Sequence, residues 1–300
     1  MINHKDILLN LQEDSNFLPD DLLIILGPTA SGKTKLAVQL AKDLQGEIIS
    51  ADSRQVYKEL NIGTGKDLSD YQDIPYHLID ILDPGEKYNI DMFLDDFHLA
   101  YKKIRSRGNR VIVCGGTGFY IQNLLQFKPY TQIPIDLELR DILENKSLVE
   151  LQKIVSEETL LNSYKVDFFS KKRLIRAIEI SCFFKDNPDF KLQDRKSYRY
   201  KAIGLNPDVQ LRRDLISNRL EKRLEQGMIQ EVQGLLNKGL SYEQLEYYGL
   251  EYKFISYYLK EMYTYEEFIK KLETEIHRYA KRQMTYFRKM ERDGVDICWY

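Results

Sequence analysis

The stretch that most narrows what this chain can become is Gly27-Pro28-Thr29-Ala30-Ser31-Gly32-Lys33-Thr34. It follows the apolar run Leu22-Leu23-Ile24-Ile25-Leu26 and precedes Leu36, Ala37, Val38, Leu40 and Ala41, which recur at helical spacing. A short apolar strand, a Gly-to-Gly loop ending in Lys-Thr and an amphipathic helix form the setting in which G-x-x-x-x-G-K-[ST] has physical meaning. Backbone N–H groups of such a loop turn inward and the helix N-terminus adds partial positive charge, so the loop wraps a di- or triphosphate. Lys33 is expected on the outer phosphates and the Thr34 hydroxyl on Mg²⁺. The same letters also fit an ordinary Gly/Ser turn, but the flanking strand and helix periods favour phosphate binding. The motif points to a polyphosphate without saying which one.

Length and composition frame that loop. Three hundred residues, 43% of them apolar, allow one large α/β domain or a domain carrying an insertion. Apolar runs stop at about five residues, far short of the ~20 needed to span a bilayer, so no membrane association is expected. Residues 1–21 carry Asp6, Glu13, Asp14, Asp20 and Asp21 and no basic-then-apolar leader pattern, which points to the cytoplasm. Cys114, Cys182 and Cys298 lie far apart, a spacing that supports neither a disulfide framework nor a zinc ribbon. A monomer is expected. The net charge of −2 hides an asymmetry: residues 165–223 hold sixteen Lys/Arg against eight Asp/Glu, and residues 66–100 hold two Lys against nine Asp/Glu. A second basic run, 278–292, has six Arg/Lys and one Glu. Such bias marks either a solvated helical face or a surface for a polyanion longer than a nucleotide.

Strands are predicted at 22–26, 47–50, 110–114 and 200–205, with helices at 35–44 and roughly 92–107 between the first three. This alternation favours an α/β fold: a parallel-sheet core of the phosphate-loop NTP-hydrolase type, with a mostly helical C-terminal part. After Phe127 the texture becomes helical between Pro129, Pro134 and Pro188. Residues 129–199 are therefore read as a helical insertion, with 1–128 and 200–300 forming the core. In parallel sheets ligands sit at the carboxyl ends of the strands. The segments after the strands, the phosphate loop, Ala51-Asp52-Ser53-Arg54-Gln55-Val56-Tyr57 and Gly115-Gly116-Thr117-Gly118-Phe119-Tyr120, should converge on one pocket.

Asp52 stands where a carboxylate serves either as N-cap of a helix starting near Ser53 or as a base facing a bound ligand. Gly115-Gly116-Thr117 is either a tight turn or a place where a ligand approaches backbone closely, with the Thr117 hydroxyl on its rim. His77 has no Cys, Ser or metal partner in its sequence neighbourhood and reads as structural. Arg219 is either a surface helix charge or a fork reaching the phosphates.

Six segments in order carry a family resemblance: the phosphate loop, Ile49 to Tyr57, Ile62-Gly63-Thr64, Pro75-Tyr76-His77-Leu78-Ile79-Asp80, Gly115 to Tyr120, and Ala280-Lys281-Arg282-Gln283-Met284-Thr285. Together they closely resemble the tRNA dimethylallyltransferases, the tRNA isopentenyltransferases of bacterial type, over about residues 22–288. The resemblance implies transfer of the dimethylallyl group of dimethylallyl diphosphate to N6 of adenine-37 in tRNAs reading codons that begin with U. It implies Asp52 as general base, and Thr29 and Arg219 as contacts to the leaving diphosphate held by Gly27, Pro28, Thr29, Ala30, Ser31, Gly32, Lys33 and Thr34. It places the tRNA anticodon stem-loop against Asp52, Ser53, Arg54, Gln55, Thr117, Arg140, Lys172, Arg173, Leu174, Ile175 and Arg176. The target base would have to leave the loop stack to reach the pocket.

Five positions depart from the family pattern. Tyr286 replaces the usual Trp, Gly249-Leu250-Glu251 stands for Gly-Tyr-Lys, and residues 184–188 replace Thr-Gly. Arg223 stands where Met is common, and Gly65 where Ala is usual. The rival readings are a small-molecule kinase on the same loop, a prenyltransferase acting on free adenylate, and an RNA-binding protein with a relic loop.

Overall fold

Apolar runs of four to six residues, too short to be helices and too apolar to have a wet face, pack as central strands of a parallel sheet. In the computed structural model, which describes residues 4–158 and 166–300, six strands run parallel. They are Leu22–Leu26 (β1), Gly46–Ser50 (β2), Tyr76–His77 (β3), Arg110–Gly115 (β4), Tyr200–Gly204 (β5) and Cys298–Trp299 (β6). The order is β3-β2-β4-β1-β5-β6. β1 is central, with Ile24 opposite Val113 on one side and Ala202 on the other. All five of its residues are completely buried. The sequence reading misses β3 and β6, because two-residue strands carry no period.

The chain divides into two compact units: Met1–Gln126 with Ser197–Tyr300, and Phe127–Lys196. In the first, helix His4–Glu13 (α1) buries Ile7 and Leu11. Lys33–Asp43 (α2) then buries Leu36, Ala37, Val38, Leu40 and Ala41. Ile90–Ser106 (α3) starts where the Asn89 side chain accepts the N–H groups of Asp91 and Met92 at 2.9 and 3.0 Å, an N-cap that offsets two orphan donors. Gly118–Leu125 (α4) follows β4.

One buried carboxylate ties the sheet edge together. Glu47 of β2 accepts from Arg107 Nε and Nη2 at 2.7 and 2.6 Å and from Asn109 Nδ2 at 2.8 Å, and lies 2.8 Å from His77 Nε2. Burial alone would raise its pKa, but the Arg107, His77 and Asn109 hydrogen bonds outweigh it and bring it to about 2. His77 is thus structural, as its sequence context suggests.

The second unit contains, among the described residues, Leu137–Glu144 (α5), Leu148–Glu157 (α6) and Lys171–Asp186 (α7). Their apolar faces meet in a core of Ile133, Leu143, Leu151, Val155, Leu174, Ile175 and Ile178. Glu179 is buried in it and accepts from Arg140 Nε and Nη2 at 2.6 and 2.7 Å, from Arg176 Nη1 at 3.1 Å and from the Asp136 N–H at 3.1 Å.

The chain returns to the first unit for β5 and five helices. The Asn206-Pro207-Asp208 turn ends with the Asp208 side chain capping Val209–Glu225 (α8). Met228–Asn237 (α9), Tyr242–Tyr247 (α10) and Leu250–Leu259 (α11) follow. Thr264 and Glu267 form a capping box for Tyr265–Arg292 (α12), 28 residues and about 42 Å long at 1.5 Å per residue. Its apolar stripe is Phe268, Leu272, Ile276, Ala280, Met284, Phe287 and Met290, with one polar residue, Gln283, buried among them.

Candidate active site

The segments after β1, β2 and β4 line one cavity of about 920 Å³. α8, the Gly63–Asp67 loop, the α10–α11 turn and α12 complete its wall. Ala30 and Gly32 both take left-handed backbone angles, φ 59° and 83°, which roll the phosphate loop into the hollow between β1 and α2. Lys33 Nζ donates to Pro28 O at 2.7 Å. Burial pushes the Lys33 ammonium down to about 8, aided by repulsion from Arg219 and opposed by Cys114 and Asp52. The buried Ser31 Oγ has no hydrogen-bond partner. A buried hydroxyl at the turn of such a loop is placed to donate to an anion.

Asp52 lines the cavity just beyond β2. It caps no helix: residues 53–56 form turns, and Asp52 Oδ1 accepts the Arg54 N–H at 2.9 Å. One carboxylate oxygen thus fixes the turn, and the second has no such task. The Ser53 N–H donates to Thr117 Oγ1 at 3.1 Å, joining the turns after β2 and β4. Gly115 is needed there, since a Cβ would come within 2.2 Å of Ala51 O. Gln55 accepts from Ser50 Oγ at 3.0 Å and donates to Gly65 O at 3.2 Å. The Arg54 guanidinium lies 4.6 Å from the centre of the Tyr247 ring.

Arg219 is not a surface charge. From α8 it donates through Nη1 to Thr29 Oγ1 at 3.2 Å, so its fork is at the phosphate loop. Arg223, one turn on, lines the same corner. Glu231 of α9 accepts the N–H groups of Asn61, Ile62 and Gly63 at 2.9, 2.7 and 3.1 Å and the Tyr252 hydroxyl at 2.7 Å, which fixes the loop bearing Gly65. Gln283 closes the arrangement: its Oε1 accepts the Thr29 N–H at 2.9 Å and its Nε2 donates to Gly116 O at 3.0 Å. Sequence alone gives Gln283 no role. The available signal was a lone amide on the apolar stripe of α12.

All eight phosphate-loop positions lie together, and Thr29 to Thr34, Asp52 to Gln55, Thr117 and Arg219 line the cavity itself. Arg140 and residues 172–176 belong to the second unit, and there the run splits. Lys172 and Arg173 are exposed, whereas Leu174 and Ile175 are core residues. Their side chains are turned inward by helical periodicity, so they hold the insertion together instead of presenting a surface for RNA. Arg140 and Arg176 point their forks at Glu179, and Arg176 Nη2 also donates to the carbonyls of Tyr130 and Ile133 at 3.0 and 2.6 Å.

Three features bear on a metal. Thr34 lines the cavity with its hydroxyl near the Cys114 thiol, Asp52 lines it too, and no cluster of three or more His, Cys, Asp or Glu suits a metal among the described residues. A sparse oxygen set beside a phosphate loop fits Mg²⁺, which keeps waters and takes its remaining ligands from phosphate. No described helix is long and apolar enough to cross a membrane.

Comparison with known proteins agrees with this geometry. The family model "IPP transferase" matches residues 55–290, and the model "Isopentenyl transferase" matches residues 20–72. The chain is 50% identical over 283 residues to tRNA dimethylallyltransferase 1 of Azobacteroides pseudotrichonymphae, covering 93% of this chain and 92% of that protein. Among solved structures it is similar to the full-length tRNA isopentenylpyrophosphate transferase of Bacillus halodurans, with 32% identity and TM-score 0.68, covering 94% of this chain and 89% of that one. A eukaryotic dimethylallyltransferase acting on tRNA shares the fold at TM-score 0.74 and 24% identity, over 93% of this chain and 73% of that one. On its sequence and on its fold, this chain belongs to the IPP transferase family.

Proposed function

We propose that this protein transfers the dimethylallyl group of dimethylallyl diphosphate to N6 of adenine-37 in tRNAs reading codons that begin with U. The observation that carries the reading is one cavity holding both halves of the chemistry. Lys33, Arg219 and the free Ser31 hydroxyl surround a phosphate loop, and the Asp52 carboxylate lines the same space.

The exocyclic amine of adenine is a weak nucleophile because its lone pair is delocalised into the ring. In the reaction that lone pair forms a bond to the terminal allylic carbon while the carbon–oxygen bond to diphosphate breaks. The allyl group carries positive charge in passing, the electron pair leaves on the diphosphate oxygen, and the N6 proton passes to the free oxygen of Asp52. Lys33, Arg219 and the loop N–H groups stabilise the charge that grows on the departing diphosphate, and do so most in the transition state. Mg²⁺, held through Thr34 and the phosphate oxygens, supplies further charge neutralisation when bound. The Asp52 turn, with Ser53, Arg54, Gln55 and Thr117, meets the flipped-out base. Exposed Lys172 and Arg173 of the insertion are phosphate-contact candidates for the anticodon stem-loop. Arg140 and Arg176 position the insertion, and their reach to RNA is secondary.

The test offers labelled dimethylallyl diphosphate with an unmodified tRNA and, separately, with AMP. Label is expected in the tRNA, dependent on Mg²⁺; label in AMP alone overturns the reading. Asp52→Ala should lower the turnover by about 10²–10⁴-fold, the usual worth of a general base, with tRNA affinity kept within about tenfold. Normal turnover in that variant would remove Asp52 from the mechanism.

A further inference from the structure

Arg223 is an anomalous cation. Its side chain is 8% exposed, it lines the corner of the cavity beside Thr29, Ala30 and Arg219, and its Nη2 has no hydrogen-bond partner. Its ion-pair partner within 4 Å is Asp67, at 3.8 Å, and the same carboxylate oxygen lies 4.0 Å from Arg219 Nη2. Two arginines at i and i+4 on one helix face repel one another, so nothing in the stability of α8 calls for the second. Burial pushes the Arg223 guanidinium down to about 10, with Arg219 adding to the effect, while Glu251, Asp67 and Tyr252 oppose it; the group remains a cation at neutral pH.

The surroundings are shaped around this pair. Gly65 has φ +70°, and a Cβ there would fall 1.9 Å from Arg223 Nη2 and 2.0 Å from Arg219 Nη2. The missing methyl is the space that the two guanidiniums share. Half-buried Glu251 lies at the same corner; desolvation raises its carboxyl pKa, and the attraction of Arg223 and Arg219 opposes that rise.

We propose that Arg223 is a second guanidinium of the diphosphate site, donating through its free Nη2 to the leaving diphosphate beside Arg219. This rests on the reading of the loop as a diphosphate site. A planar fork with one unused N–H edge suits a phosphate oxygen. An orphaned buried donor at the rim of an anion site is a cost that function explains and folding does not.

The test is binding of inorganic diphosphate to the full chain by calorimetry, with the KM for dimethylallyl diphosphate and the affinity for tRNA alongside. Arg223→Met should weaken diphosphate binding roughly ten- to hundredfold, the worth of a charge-assisted hydrogen bond, and leave tRNA affinity within about twofold. Arg223→Met combined with Glu251→Gln removes the neighbouring carboxylate as well and carries the test should the single variant fail to fold. It should remain as weak as the single variant. Wild-type diphosphate affinity in the double variant would reduce Arg223 to a countercharge for Glu251 and overturn the proposal. Lys33→Ala separates the two levels. If it loses diphosphate and Arg223→Met does not, the inference alone falls; if neither loses it, the diphosphate reading of the loop falls as well.

Discussion

Removing the Gln283 amide should damage both stability and donor binding, and the structure fixes how much. Gln283→Ala leaves the Thr29 N–H without a partner and the Gly116 carbonyl with the Gly118 N–H alone, at 3.1 Å. The Gly116 carbonyl loses one of its two donors, worth about 0.5–1.5 kcal/mol. Thr29 borders the cavity, where water can reach it, so its unmet N–H costs near the low end of about 1–3 kcal/mol. The lost methylene contacts add about 1 kcal/mol, for a total of about 2.5–3.5 kcal/mol. At roughly 2–4 °C per kcal/mol for a chain of this size, the unfolding midpoint should fall by about 5–14 °C. With Thr29 released from α12 and held only by Arg219, the KM for dimethylallyl diphosphate should rise more than that for tRNA. Gln283→Glu sharpens the test, since its carboxylate can still accept the Thr29 N–H but faces the Gly116 carbonyl and the diphosphate site. Its donor KM should exceed that of the alanine variant. Calorimetric melting and steady-state kinetics read both effects. A Gln283→Ala protein that melts within about 2 °C of wild type with an unchanged donor KM would refute the reasoning.

The Lys33 pKa of about 8 gives a pH dependence of known sign. Below pH 8 the free protein holds Lys33 as a cation, and as pH rises through 8 it loses that charge, so diphosphate affinity should fall on the alkaline side. In Lys33→Met the same profile should be flat, and an alkaline limb that survives there assigns the titration elsewhere. Glu179→Ala strips Arg140 and Arg176 of their shared carboxylate. Leaving two half-buried guanidiniums unpaired should cost the insertion about 3 kcal/mol. Hydrogen exchange should quicken in α5 and α7, tRNA binding should weaken, and the donor KM should hold. Unchanged protection of α7 would show that the apolar core alone holds the unit.

The central fold was legible because its signals are local. β1, β2, β4 and β5 are apolar runs with short turns after them; the predicted bounds of β1 match the observed ones and the other three differ by one residue at one end. Two-residue β3 and β6 carry no such signal, and their pairing is a consequence of chain packing. The phosphate loop was equally plain, since its glycine, lysine and threonine are adjacent in sequence. Arg219 was not decided by spacing. Only the course of α8 across the carboxyl end of the sheet shows that its guanidinium reaches Thr29. The insertion's basic run looked uniform in sequence, yet helical geometry sends Leu174 and Ile175 inward and Lys172 and Arg173 outward.

The sequence by itself determined that a polyphosphate loop follows a central parallel strand, that a carboxylate follows the next strand, and that a helical insertion interrupts the core. Those features depend on residues within a turn or two of each other. Tertiary structure alone decided what surrounds the phosphates: Gln283 bridging Thr29 and Gly116 across more than 150 residues of chain, Gly65 making room for two guanidiniums, and Arg223 left with an unused donor beside Glu251. Hydrogen bonds and ion pairs act over a few ångströms in space, whatever the distance along the chain.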